Sequence, residues 1–456
     1  MLSTYTYDCL KRLFFTIGIL IVYRIGVSIP IPGINVNIIH QFFHMHTNHN
    51  GFLNFLDIFS GGALNRMSIF SIGVVPYINS SIVINLIQGA HIMPYLDKLS
   101  TEGEHGRKRL NQITRYLTLL LGIVQSIFLL IAIKRIPTPL GTLLITNPSI
   151  SWHVLVIITL VTGSMFVMWS GEQITEYGIC NGISLIILIG IIERFPNSFY
   201  AIVRLITQKT YSSLLLLVSI VVIMFISVIY IETAQRKIPI HYTKKFIEYE
   251  PYNDQRSFLP IRIDQSGVMA IVFTISILSI PLTIAQLFPK ISVCGHLISQ
   301  PIINFNIKTN AYYNIVYTCL VIFFCYFYNS ISFNPSDIAQ YMKKCGGFIP
   351  GIRSGASTRC YIKHIIDRLT LVGAIFVSFI SLGPNYLKKF FHLPYLFSGT
   401  ALLITISVTL DIIARFESYF IMRNYENFIT NSENIMKGKG IKKQDNKFII
   451  NYNKNQ

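Results

Sequence analysis

Charge is scarce in this chain, and negative charge is scarcer still: charged residues make up 13% of the 456, and only 20 are Asp or Glu. A soluble globular domain carries about 25%, so the scarcity argues against an ordinary water-facing surface. Acids are also missing from the middle of the long apolar runs. Glu172, Glu176, Glu232 and Asp411 stand at span ends and in loops, whereas an ion-coupled carrier usually buries an acid on its ion path. The seven cysteines (Cys9, Cys180, Cys294, Cys319, Cys325, Cys345, Cys360) show no paired spacing, which implies neither a disulfide framework nor a zinc site. The opening residues, MLSTYTYDCLKRLFF, lack a small-residue cleavage site and an Arg/Ser-rich character, so neither a removed signal peptide nor a transit peptide is expected.

Hydrophobic residues are abundant, at 52% with a mean hydropathy of +0.52, the composition of a polytopic helical membrane protein. A helix needs roughly 20 apolar residues to cross about 30 Å of hydrocarbon. Ten such stretches are centred on 13–32, 68–90, 114–133, 152–170, 178–193, 213–231, 266–288, 311–333, 368–384 and 395–414. An even number puts both termini on one side. About 27 of the 38 Lys and Arg fall on that side and about 10 opposite, so the positive-inside rule predicts cytoplasmic termini. The same rule absorbs most of the net charge of +18, which therefore needs no nucleic-acid partner. Two loops on that side, 233–265 and 334–367, are long for simple connectors and read as docking surfaces.

One apolar stretch is unlike the rest. FLDIFSGGALNRMSIFSIGVVPYINSSIVINLIQ, residues 55–88, is broken by Gly61, Gly62, Gly73, Pro76, Asn79, Ser80 and Ser81. Interrupted backbone at membrane depth is tolerated only where protein wraps it or water lines it, so something polar is expected to pass here. Inverted repeats with broken helices also build secondary transporters, and composition alone does not separate the two. Ser184 in GISL loosely resembles a nucleophile motif, with His153 or His91 as partners for a protease, but three-residue motifs arise often by chance. His40, His44, His46 and His49 could bind a transition metal, though the expectation is a solvated loop. The tail from about 431 is polar and basic and is expected to be disordered, touching anionic lipid.

The string GEQITEYGICNGISLIILIGI at 171–191 resembles the start of the fifth span in the SecY family, the central subunits of the Sec protein-translocation channel. YRIGVSIPIPGI (23–34), FSGGALNRMSIF (59–70), EGEHGRKRLNQITRYLT (102–118), ETAQRKIPI (232–240), FNPSDIAQYMKKCGGFIPGIRSG (333–355) and TALLITISVTLDIIARFESYFIMRNYE (400–426) resemble that family in its order and spacing. Agreement of many strings in order is specific where one alone is weak. The resemblance implies an all-α polytopic membrane protein: ten transmembrane helices in two pseudo-symmetric five-helix halves, 1–194 and 213–430, with a hinge at 195–212 and a tail at 431–456. It implies no enzyme activity, no cofactor and no metal.

The resemblance also implies roles for particular residues. A plug covers about 55–64, with Asp57, Ile58, Phe59, Ser60, Gly61 and Gly62. A pore ring of short apolar side chains falls on Ile78, Ile82, Ile183, Ile187, Val272 and Ile404. A lateral gate has Asn79, Ser80, Ser81 and Asn85 on the second span facing Thr274 and Ser276 on the seventh, as a polar seam worth about 1 kcal/mol per hydrogen bond. Arg236, Lys237 and Arg353 become docking residues for a SecA motor or a ribosome. SecE-like and SecG-like membrane subunits, secretory and membrane protein precursors and membrane lipid complete the partners. The implied location is a bacterial cytoplasmic membrane, with the plastid thylakoid as the alternative. Four residues depart from the family pattern: Cys180 for glycine, Asn85 for glutamine, Ala270 for proline and Ser354 where GIRPG is the norm. Arg24, the one charge well inside a span, is expected to snorkel or pair with a carbonyl.

Overall fold

A computed structural model describes residues 4–36, 60–89, 93–134, 149–193, 211–242, 257–264, 267–287, 292–293, 296–297, 311–391 and 399–438. A helix lies in every one of the ten apolar stretches, because a helix satisfies its own backbone polar groups where no water can. In the first half these are α1 (Thr4–Ser28), α2 (Val75–Gly89), the short amphipathic α3 (Pro94–Thr101), α4 (Glu104–Lys134), α5 (Ile150–Tyr177) and α6 (Gly182–Ile192). In the second they are α7 (Tyr211–Thr233), β1 (Gln235–Tyr242), β2 (Ser257–Arg262), α8 (Gly267–Leu287), the two-residue strands β3 (Ser292–Val293) and β4 (His296–Leu297), α9 (Ala311–Ser332), α10 (Pro335–Lys344), β5 (Gly347–Phe348), α11 (Ala356–Phe391) and α12 (Gly399–Gly438). Among the described residues, five helices are long and apolar enough by themselves to cross a membrane, and three shorter helices are also apolar. The helix of α12 runs past residue 430, where the sequence reading ends the folded part, to Gly438. No glycine or proline interrupts it after Gly399.

Non-helical backbone sits inside the bundle at the place the sequence marks. The stretch expected to span from residue 68 is helical only from Val75, and residues 60–74 form a chain of turns. Ser60, Ala63, Leu64, Met67, Ser68 and Ser71 are almost fully buried. The backbone polar groups of this segment are met internally: Ile31 N donates to Met67 O at 2.8 Å, Ile69 N to Ile29 O at 3.1 Å, and Ser68 N to Ala63 O at 2.9 Å. Pro30 ends α1 and forms a single bridge with Ser68, so the exit of the first helix and the approach to the second are stitched together. This is irregular backbone tolerated because protein wraps it.

The long loops supply the part of the molecule that is not helical. Strand order is β2-β1-β5, all antiparallel, with His241↔Phe348 and Tyr242↔Gly347 tying the second loop to the first. In β1, Ile238 and Ile240 are buried while Lys237, Pro239 and His241 are exposed, the period-two pattern of a half-buried strand. The pairs Lys237↔Pro260 and Pro239↔Phe258 share one parity, as two prolines must if both avoid the hydrogen-bonded positions. Ile238, Ile240, Ile261, Met342, Ile349, Ile362 and Ile366 form a separate apolar core here. The two expected docking loops are therefore one packed body.

Helix pairs differ in how they are joined. Between α9 and α11, Tyr317 Oη meets Ser381 Oγ at 2.5 Å, Asn314 Nδ2 donates to Tyr386 Oη at 2.7 Å, Tyr326 Oη donates to the Asp367 carbonyl at 3.0 Å, and Asn329 bonds Thr370. Between α4 and α5 an ion pair, Arg115 with Glu172, is bidentate at 2.7 and 3.1 Å. The turn between α5 and α6 depends on close backbone approach: a Cβ on Gly182 would lie 2.1 Å from the Gly171 carbonyl oxygen. Thr175 Oγ1 accepts from Gly182 N at 2.9 Å and Asn181 caps α6 by accepting from Ile183 N.

Candidate functional site

Where the two chain halves meet, the side chains are hydrocarbon. Val75 of α2, Ile187, Leu188 and Ile191 of α6, Val272 of α8 and Ile404 and Val408 of α12 form one buried cluster, with Ile78, Ile183 and Ile275 packed against it. Five of the six expected ring residues are thus brought together from four helices. Ile82 is not among them. One turn beyond Ile78 on the same face, it is buried instead with Val228, Ala270, Ile271 and Phe273, a cluster that Ile78 also touches.

Of the expected plug residues, Asp57, Ile58 and Phe59 lie outside the described residues, and Ser60, Gly61 and Gly62 open the wrapped segment. The Ser60 carbonyl accepts from Tyr23 Oη at 3.1 Å. Gly61 (φ +66°) and Gly62 (φ +76°) are left-handed, and a Cβ on Gly61 would approach the Gly190 Cα to 3.1 Å. Arg24 pairs with a carbonyl as expected, donating to Gly61 O at 3.4 Å, but it also bonds the Glu193 carboxylate. Arg66 Nη2 reaches the other oxygen of Glu193 at 3.1 Å. Sequence reasoning missed Glu193 and Arg66. The available signal was an acid at the end of the apolar helix GISLIILIGII, where the helix dipole disfavours a carboxylate unless cations accompany it.

The expected polar seam between α2 and α8 is built differently from the expectation. Ser80 and Thr274 are fully buried, yet their hydroxyls donate to the carbonyls four residues back, Ser80 to Pro76 at 2.8 Å and Thr274 to Ala270 at 2.8 Å. Ser81 and Asn85 line a cavity of about 230 Å³ with Tyr77, Gln88, Arg107 and Asn111, against α4. The reason is helical phase: Tyr77, Ser81, Asn85 and Gln88 share one face of α2, rotated from Ile78 and Ile82. Ser276 is buried in α8, and the Oδ1 of Asn79 is buried without a hydrogen bond among the described residues.

The residues expected to dock a partner are accessible. Arg236 and Lys237 are exposed at the start of β1, and Arg353 is exposed in the turn after β5, where its carbonyl accepts from Thr358 Oγ1 at 3.0 Å. Ser354, beside it, is exposed too. Cys180 does not adopt the left-handed backbone that would require glycine, and Ala270 falls in the first turn of α8. Ser184 begins α6, whereas His153 begins α5, about 36 Å along that helix from the α5–α6 turn. They cannot act as a pair. His91 and the cluster of His40, His44, His46 and His49 lie outside the described residues.

A family model described as SecY matches residues 68–413. The chain is 38% identical over 432 residues to the protein translocase subunit SecY of Escherichia coli strain K12, covering 94% of this chain and 95% of that one. It is 35% identical over 424 residues to the SecY of Aquifex aeolicus, covering 92% and 96%. Among solved structures, one described as a protein conducting channel superposes with a TM-score of 0.62 at 17% identity, covering 90% and 93%. Canine Sec61 in a ribosome-channel complex gives 0.58 at 17%, covering 90% and 93%. Those identities speak for the fold, while the family model and the sequence relatives establish membership: the chain belongs to the SecY family.

Proposed function

We propose that this chain is the central subunit of a protein-conducting channel, passing unfolded secretory polypeptides across the membrane and releasing apolar segments sideways into lipid. The observation that carries this reading is the apolar cluster of Ile78, Ile183, Ile187, Val272 and Ile404, drawn from helices on both sides of the 195–212 hinge, beside a wrapped segment that is not helical. An apolar constriction expels water and so resists ion leakage. It makes no directional bonds to a passing chain, so it accommodates any sequence. Residues 60–62 belong to the plug that closes it, and α2 parts from α8 to form the side gate. A carrier reading draws no support from Glu193, whose two oxygens are both held by arginines.

The halves are 1–194 and 213–430. Both termini face the cytoplasm of a bacterium, by the distribution of Lys and Arg. The chain hydrolyses nothing itself; a SecA-type ATPase or a translating ribosome drives transport by docking on the β2-β1-β5 body. Arg236, Lys237 and Arg353 meet carboxylate or phosphate there, contacts an arginine can make bidentate. SecE-like and SecG-like subunits complete the complex. The test is photo-crosslinking from Ile183 and Ile404 to a stalled precursor in membranes containing the motor. Crosslinks at both positions that require ATP are expected. A bound motor with no crosslink at either would refute the path through this cluster.

A further inference from the structure

Three separate parts of the chain converge on Glu193. Arg24 comes from α1, Arg66 from the wrapped segment, and Glu193 itself caps the C-terminus of α6. Arg24 and Glu193 both belong to helices of the scaffold, and their pair is the less exposed of the two, with Glu193 only 15% exposed. The Gly61 carbonyl belongs to the plug expected over 55–64, and Arg66 follows it in the same wrapped segment, two residues past that bound. A carboxylate at a helix C-terminus is electrostatically disfavoured by the local dipole, so Glu193 needs cations. The backbone is shaped to bring it close: a Cβ on Gly62 would stand 2.9 Å from a Glu193 oxygen. Any outward displacement of residues 61–66 must therefore break the Arg66–Glu193 pair and the Arg24–Gly61 bond, while the Arg24–Glu193 pair can remain.

We propose that Arg24 and Glu193 form a charged socket, with Arg66 and the Gly61 carbonyl as its key, and that this pairing positions the plug and sets the closed-to-open balance of the resting channel. The inference rests on the channel reading above and adds the residues that hold it shut. A partner shifts a two-state balance only by its differential affinity for the two states, so weakening the socket raises the open fraction before any partner arrives.

The experiment uses the complete channel complex in liposomes and reads two quantities, resting halide flux and motor-driven translocation of a precursor. Glu193→Gln and Arg66→Gln are each expected to raise resting flux about fivefold, the factor that loss of an ion pair of ordinary strength gives. Arg66→Lys should stay near wild type. In a Glu193→Gln background, Arg66→Gln should add nothing, because the two residues act on each other. Wild-type flux in both single variants would overturn the socket, as would additive effects in the double variant. If Glu193→Gln does not assemble, Arg66→Gln still decides, since Arg66 is 48% exposed and its loss leaves the Arg24–Glu193 pair in place. Failure of the wild-type complex to translocate would count against the channel reading instead.

Discussion

The α9–α11 seam and the α2–α8 seam both bury hydroxyls, yet Ser80 and Thr274 of the second do not stitch it as those of the first do. Tyr317 with Ser381 and Asn329 with Thr370 cross from one helix to the other. Ser80 and Thr274, equally buried, turn back onto their own helices. A hydroxyl that satisfies itself locally carries no information about its neighbour. The first pair is thus fixed by directional bonds, and the second is held where Ile82 meets Ala270, Ile271 and Phe273. Helices in lipid gain no hydrophobic driving force by associating, so without bonds from Ser80 and Thr274 the contact of Ile82 carries more of the seam. Parting it strands neither the Ser80 nor the Thr274 hydroxyl.

The largest effect expected from this contrast comes from removing packing at the unstitched seam. Ile82→Ala should destabilise the closed α2–α8 contact by about 2 kcal/mol, the low end for a buried isoleucine because lipid tails replace part of what is lost. It should show as increased resting halide flux together with a lower midpoint of thermal unfolding. Unchanged flux would mean that the closed state is held elsewhere.

How much of this could be read beforehand depends on range. The helices in the ten apolar stretches follow from runs of apolar residues, because that signal is local. The buried irregular segment was legible as too polar for lipid. Glu193 was not, since its partners Arg24 and Arg66 are 169 and 127 residues away and nothing local pairs them. Nor was the facing of Ser81 and Asn85. A membrane helix is apolar toward lipid and toward the pore alike, so hydrophobic periodicity does not give its rotation, and the seam assigned to them belongs to α4. The strands of the docking body were hidden for another reason: RKIPIHY alternates over too few residues to stand out inside a long loop.

A smaller effect is expected at the stitched seam. Tyr317→Phe removes the hydroxyl facing Ser381 and should cost about 1 kcal/mol of thermal stability, with resting flux unchanged because α9 and α11 are not expected to separate. A flux increase as large as that of Ile82→Ala would erase the distinction between the two seams.

The smallest effect is the most discriminating. Ser80→Ala combined with Thr274→Val should change stability and flux by less than about 0.5 kcal/mol equivalent, because each hydroxyl bonds a carbonyl already paired within its helix and its removal strands nothing. Valine matches the shape of threonine, and alanine leaves only a small void at Ser80. A polar seam of the expected kind would behave otherwise: loss of two bonds between helices would release about 1 to 2 kcal/mol and open the channel nearly as far as Ile82→Ala does. A near-silent double variant therefore assigns closure of this seam to Ile82 and its neighbours, whereas an open one would mean that the hydroxyls bridge α2 and α8 when the channel sits in its membrane.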